Sequence, residues 1–103
     1  MKKYKKDGKV AILVSPGYGA GWSTWGDNEE FLAMDKGLVE MKLRNAPKEE
    51  VEEYIRNTIG EEMCMGGWKK AIVSWLNSGT SFVIDEYDGY ESLATQDSLV
   101  MTA

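Results

Sequence analysis

The stretch Ser15-Pro16-Gly17-Tyr18-Gly19-Ala20-Gly21-Trp22-Ser23-Thr24-Trp25-Gly26 holds the residues best suited to chemistry. Glycines let a ligand approach the backbone closely. The loop leads from an apolar run toward a helix start, where unpaired N–H groups favour an anion. A base stacked on a flat ring is worth about 1–3 kcal/mol, similar to one charge-assisted hydrogen bond. Gly17, Gly19 and Gly21 would admit the ligand, Tyr18, Trp22 and Trp25 would supply rings, and Ser23 and Thr24 would bond phosphate or ribose. This set suits a nucleotide or a nucleotide-derived signal. It does not match the common phosphate loops. The dinucleotide pattern needs glycine where Trp22 stands, and the Gly-Lys-Ser/Thr triplet of the P-loop is missing. A purely structural role fits the same residues: the glycines let the loop cross packed helices, and the tryptophans fill the core. The residues alone leave both readings open.

A second cluster, Asp85-Glu86-Tyr87-Asp88-Gly89-Tyr90-Glu91, packs acids and tyrosines around an Asp-Gly turn. Its spacing does not fit a calcium-binding loop. Asp85, Glu86, Asp88 and Glu91 would form a recognition edge for a basic protein, or a solvated hairpin whose acids prevent edge pairing. The chain has no histidine, which removes the common nucleophile pairs and zinc sites, so no metal and no cofactor are expected. Cys64 stands alone between methionines and reads as a small buried hydrophobe. An enzyme would have to work with carboxylates, lysine or backbone groups alone, and none is expected.

Positioning these groups falls to one domain of ordinary size, because the chain has 103 residues. Hydrophobic residues at 43% and charged residues at 28% place it among globular proteins. The net charge of −5 is uneven. Five lysines crowd residues 1–9, and residues 1–8 read as a basic, partly disordered arm ahead of a domain over 9–103. The remaining body is strongly acidic, so no nucleic-acid partner is expected. No apolar run is long enough for a membrane span, and a single cysteine fits a reducing compartment. The expected location is cytoplasmic.

Val10 to Val14 reads as a strand buried on both faces. Asp27 is expected to cap a helix from about Asn28 to Met34, and Asp35 to cap a second helical piece; Val39, Met41 and Leu43 alternate with Glu40, Lys42 and Arg44 as in a strand, but the residue types favour helix. Pro47 to Ile59 reads as a helix with apolar Val51, Tyr54, Ile55 and Ile59, a Glu52–Arg56 pair, and Gly60 closing it. Trp68 to Leu76 repeats apolar residues at helical spacing, and Glu61 to Met65 reads as a short strand. Ser81 to Tyr87 and Tyr90 to Ala94 form a hairpin, and Ser98 to Thr102 an edge strand. The expected fold is α+β: a small mixed sheet, made of the N-terminal strand and the C-terminal hairpin, packed with three to four helices.

The apolar run and the loop through Trp25, with the acidic helix and Glu86-Tyr87-Asp88-Gly89, resemble a family of small uncharacterised proteins of tailed bacteriophages and prophages. The resemblance spans most of the chain and carries no assigned activity or site residues. It implies a phage-encoded accessory protein made in a bacterial cell, and that context suggests counter-defence. The first expectation is therefore a binding protein that captures a small nucleotide-like ligand with the Gly/Trp loop, in a form compatible with a homo-oligomer. The alternative is an acidic module that inhibits or adapts a basic host protein through Asp85 to Glu91 and the acids of Glu49 to Glu53. A carboxylate-dependent hydrolase ranks third.

Overall fold

A computed structural model describes residues 1–95 and 101–103. The elements run β1 (Lys5–Lys6), β2 (Lys9–Val14), a 3-10 turn (Ser23–Trp25), α1 (Glu29–Met34), α2 (Lys36–Leu43), α3 (Lys48–Ile59), α4 (Gly66–Lys70), β3 (Ile72–Asn77), β4 (Ser81–Tyr87), β5 (Tyr90–Thr95) and β6 (Met101–Thr102). The fold is α+β, with four helices and two three-stranded antiparallel sheets. Residues 98–100 of the expected last strand lie outside the described residues.

The single mixed sheet divides in two. One sheet has the order β1-β2-β3 and the other β5-β4-β6. β2 explains the division. Its side chains alternate between two cores, as a pleated strand requires. Ala11 and Leu13 face a helical core with Trp22, Leu32, Leu38, Val39, Val51, Ile55 and Trp68. Val10, Ile12 and Val14 face the opposite core, with Ala33, Met34, Phe82, Ile84 and Met101. Covering on both faces is why the run is continuously apolar.

Such a strand must still satisfy its backbone hydrogen bonds. β3 does this along six residue pairs, from Lys9↔Asn77 to Val14↔Ile72. This corrects the helix expected over Trp68 to Leu76: the helix stops at Lys70, and Ala71 is already extended at ψ 138°. Ile72 and Trp75, two of the residues that suggested a helical face, are exposed. A β-branched pair, Ile72-Val73, followed by Trp75 also suits a strand. The short strand expected over Glu61 to Met65 is irregular chain instead, and Cys64 there is exposed rather than buried.

The lysine-rich arm is built into the first sheet. Asp7 and Gly8 have φ of 53° and 76°, the positive values a type I′ turn needs, and they fold β1 back onto β2. The backbones of Lys3 and Asp35 form an isolated antiparallel bridge. Asp35 also accepts the Leu38 N–H at 3.2 Å, so it caps α2 as expected. The Tyr54 hydroxyl donates to the same carboxylate oxygen at 2.7 Å. Burial first, and then this bond, push the Tyr54 hydroxyl up to about 12. Helix α1 begins at Glu29 with Asn28 in the cap position, one residue later than expected, and Asp27 instead donates its N–H to Glu61 at 3.3 Å. Helix α3 buries Val51 and Ile55, ends on left-handed Gly60, and brings Arg56 within 3.9 Å of Glu52.

Candidate functional site

The loop after β2 and the β4–β5 hairpin form one structure, and a buried carboxylate joins them. The hairpin turn is type I′, with φ of 52° at Asp88 and 85° at Gly89. Its register pairs Asp85 with Ser92, Glu86 with Glu91, and Tyr87 with Tyr90. Period two then divides the side chains. Phe82, Ile84, Glu86, Glu91 and Leu93 lie on the side of the core and the loop. Asp85, Tyr87, Tyr90 and Ser92 share the outer side.

Glu91 is 1% exposed. One carboxylate oxygen accepts the Ser15 N–H at 2.9 Å. The other accepts the Trp22 N–H at 2.7 Å, the Thr24 N–H at 3.1 Å and the Thr24 hydroxyl at 2.5 Å. Main-chain bonds continue the seam: the Glu91 N–H donates to Ser15 O at 2.9 Å, and the Gly19 N–H to Asp88 O at 3.0 Å. The backbones touch so closely that a Cβ on Gly89 would stand 2.6 Å from the Ala20 nitrogen. On the other side of the loop, a Cβ on Gly67 would stand 2.1 Å from the Gly21 oxygen. Glycine is therefore required at both positions for packing.

The loop thus binds an anion through its N–H groups, as its composition suggested, but the anion is the protein's own Glu91. Trp22 is fully buried, donates its ring N–H to Leu32 O at 2.7 Å, and packs 5.3 Å from the Trp68 ring. It offers no face to a ligand. Ser23 is buried too, and its hydroxyl has no partner among the described residues. Thr24 is committed to Glu91. Of the expected ligand set, Trp22, Ser23 and Thr24 are framework residues. Glu91, expected on the recognition edge, belongs with them.

The outward residues form a separate surface. Tyr18 is 61% exposed, Trp25 44%, Tyr87 76% and Tyr90 40%. The Tyr18 ring lies 5.3 Å from Tyr90 and 6.5 Å from Tyr87, nearly edge-on to the latter. The Lys70 ammonium donates to the Tyr18 carbonyl and ties the loop to the end of α4. The Trp25 ring N–H donates to Glu86 at 3.2 Å, and the same oxygen accepts the Gly89 N–H at 2.7 Å. Tyr18, Tyr87 and Tyr90, with Asp85, Glu86 and Ser92, line a hollow of about 170 Å³.

Loop and hairpin, treated as separate candidates from the sequence, therefore contribute to one face. Tyr87, Tyr90 and Ser92 are the residues that reading passed over. The residue types of Phe82 to Tyr87 do not alternate; the period of two in a strand, counted from the Asp88-Gly89 turn, is what puts Tyr87, Tyr90, Asp85 and Ser92 on one side. A further carboxylate, Glu29, lies close enough to sense Glu91. Its own burial, and then the charge of Glu91, raise its affinity for a proton.

Elsewhere, two of the helix acids proposed for partner binding are engaged within the chain: Glu50 by Arg44 and Glu52 by Arg56. Among the described residues, no group of three or more His, Cys, Asp or Glu side chains is arranged to hold a metal ion. No helix of the described residues is long and apolar enough to cross a membrane. No family model matches the chain, and neither does any curated protein or solved structure.

Proposed function

We propose that this protein is a binding module for a basic protein partner, which it engages through Tyr18, Trp25, Tyr87 and Tyr90 together with Asp85, Glu86 and Asp88. The supporting observation is the gathering of four exposed rings and three acids on one face braced by a buried carboxylate. Exposed aromatics are the residues that most often anchor interfaces, and a braced face loses little entropy on binding. The acidic body would steer a basic partner toward it. Taken with the resemblance to phage proteins, the partner would be a host protein in the bacterial cytoplasm, inhibited or adapted on binding.

Nucleotide capture is the weaker reading, because Glu91 already takes the N–H groups of Trp22 and Thr24 that a phosphate would need. The reading is tested on a partner recovered from host lysate, purified and titrated back by calorimetry. Affinity should fall as salt is raised, and the double reversal Glu86→Lys with Asp88→Lys should abolish binding. Binding unaffected by both would overturn it. So would a cyclic or ADP-ribose-type nucleotide retained in native mass spectrometry and lost on Tyr18→Ala.

A further inference from the structure

We infer that the hollow between loop and hairpin receives an arginine side chain of the partner, with the guanidinium laid on the tyrosine rings and forked onto Asp85. The inference rests on the basic-partner reading and narrows it to one kind of residue.

Three features of the hollow point to arginine. First, its walls are aromatic. Tyr87 and Tyr90 face each other across the hairpin, and Tyr18 leans on both from the loop. A cation over such rings is attracted by their electron-rich faces. Second, Asp85 lies on the same side of β4 as Tyr87, two residues away, which is about 7 Å along a strand. Its carboxylate has no hydrogen-bond or ion-pair partner among the described residues, whereas Glu86 and Glu91 both have partners. Third, Ser92 stands directly across from Asp85 and adds a hydroxyl acceptor at the same end.

A ligand that completes this hollow must present a flat cationic face to the rings and N–H donors to Asp85. Guanidinium does both at once. A lysine ammonium is a compact point charge that cannot lie flat. A quaternary ammonium would suit the rings but carries no N–H for Asp85. Charge around the hollow agrees with this choice. Glu86 lines it and Asp88 caps the turn beside it, while the neighbouring cation, Lys70, is held on the Tyr18 carbonyl.

The test is a chemical-shift titration of the full chain at low ionic strength. The probes are an acetylated, amidated Gly-Gly-Arg-Gly-Gly peptide and its lysine counterpart. The arginine peptide should bind roughly tenfold more tightly, with shifts centred on Tyr18, Asp85, Tyr87 and Tyr90. Asp85→Asn should bring the ratio of the two affinities close to one. Tyr87→Ala should weaken the arginine peptide by about threefold. Both side chains are exposed, so neither variant endangers the fold. Equal affinity for the two peptides would overturn the arginine inference while leaving the basic-partner reading standing. Shifts confined to the acids of α3 would overturn both the arginine inference and the loop–hairpin surface of the proposed function. Failure of both peptides to bind anywhere would remove both proposals together.

Discussion

The two sides of the β4–β5 hairpin carry similar residue types and do opposite work. On the inner side, Glu91 is sealed from water and satisfied by four donors from the loop. On the outer side, Asp85 has none among the described residues and stands beside exposed tyrosines. A carboxylate buried among N–H groups is framework, because removing it strands its donors. A carboxylate left unpartnered beside aromatic rings retains its capacity for an incoming cation. Residue type does not separate these roles, and parity alone does not either: Glu86 shares the side of Glu91 but is exposed, so coverage by the loop decides.

The contrast can be broken most forcefully from the inside. Glu91→Ala leaves the N–H groups of Ser15, Trp22 and Thr24 without their acceptor, at a cost of about 1–3 kcal/mol for each buried donor left unpaired. Domains of this kind are stable by only about 5–15 kcal/mol, so urea denaturation should show a large fall in midpoint, and the variant should also lose partner binding as the loop separates from the hairpin. Next in size is Trp22→Phe, which opens a void and strands the Leu32 carbonyl at a cost of about 2 kcal/mol by the same measurement. On the outer side, Tyr87→Ala and Asp85→Asn should change stability by less than about 0.5 kcal/mol. An outer substitution as costly as an inner one would erase the distinction.

The smallest effect is one of pH. Glu29 holds its proton more tightly in the folded chain than in the unfolded one, chiefly through burial and also through the charge of Glu91. A raised carboxylate opposes folding once it ionises, so this contribution to stability is present below the ordinary value of 4.5 and is lost as pH rises through the raised one. Glu29→Gln should therefore raise the melting temperature slightly at neutral pH, with the gain vanishing as pH falls toward 4.5. A gain that stays constant with pH would mean that folding does not raise the proton affinity of Glu29.

Local signals in the sequence were reliable where the structure they specify is local. Gly60 ends α3 and Asp88-Gly89 turns the hairpin through positive φ, and Asp35 caps α2 by accepting the Leu38 N–H. The same Asp-Gly signal stands at Asp7-Gly8, where the run of lysines drew attention to charge and away from the turn. What sequence reasoning missed depended on distant partners. β3 is a strand because β2 lacks a neighbour, and nothing within Trp68 to Leu76 reveals that need. Half of the candidate site was legible: Tyr18, Trp25, Asp85, Glu86 and Asp88 were singled out and are exposed. The burial of Trp22 and Glu91 was not, because it is decided by contact between segments far apart in the chain, Ser15 to Thr24 with Glu91.

The placement of β2 between both cores has a kinetic consequence. During synthesis this strand is made before β3 and before the Phe82 part of its second core, which follow it after all four helices. Until then Val10, Ile12 and Val14 lack Phe82, Ile84 and Met101 on their face, although the helices that cover Ala11 and Leu13 are already made. Pairings this distant in sequence are slow to close. The strand that organises the finished molecule is therefore the segment most in need of protection in the nascent one, and the short turn at Asp7-Gly8, which pairs β1 with it at once, is the shield the chain can form without waiting.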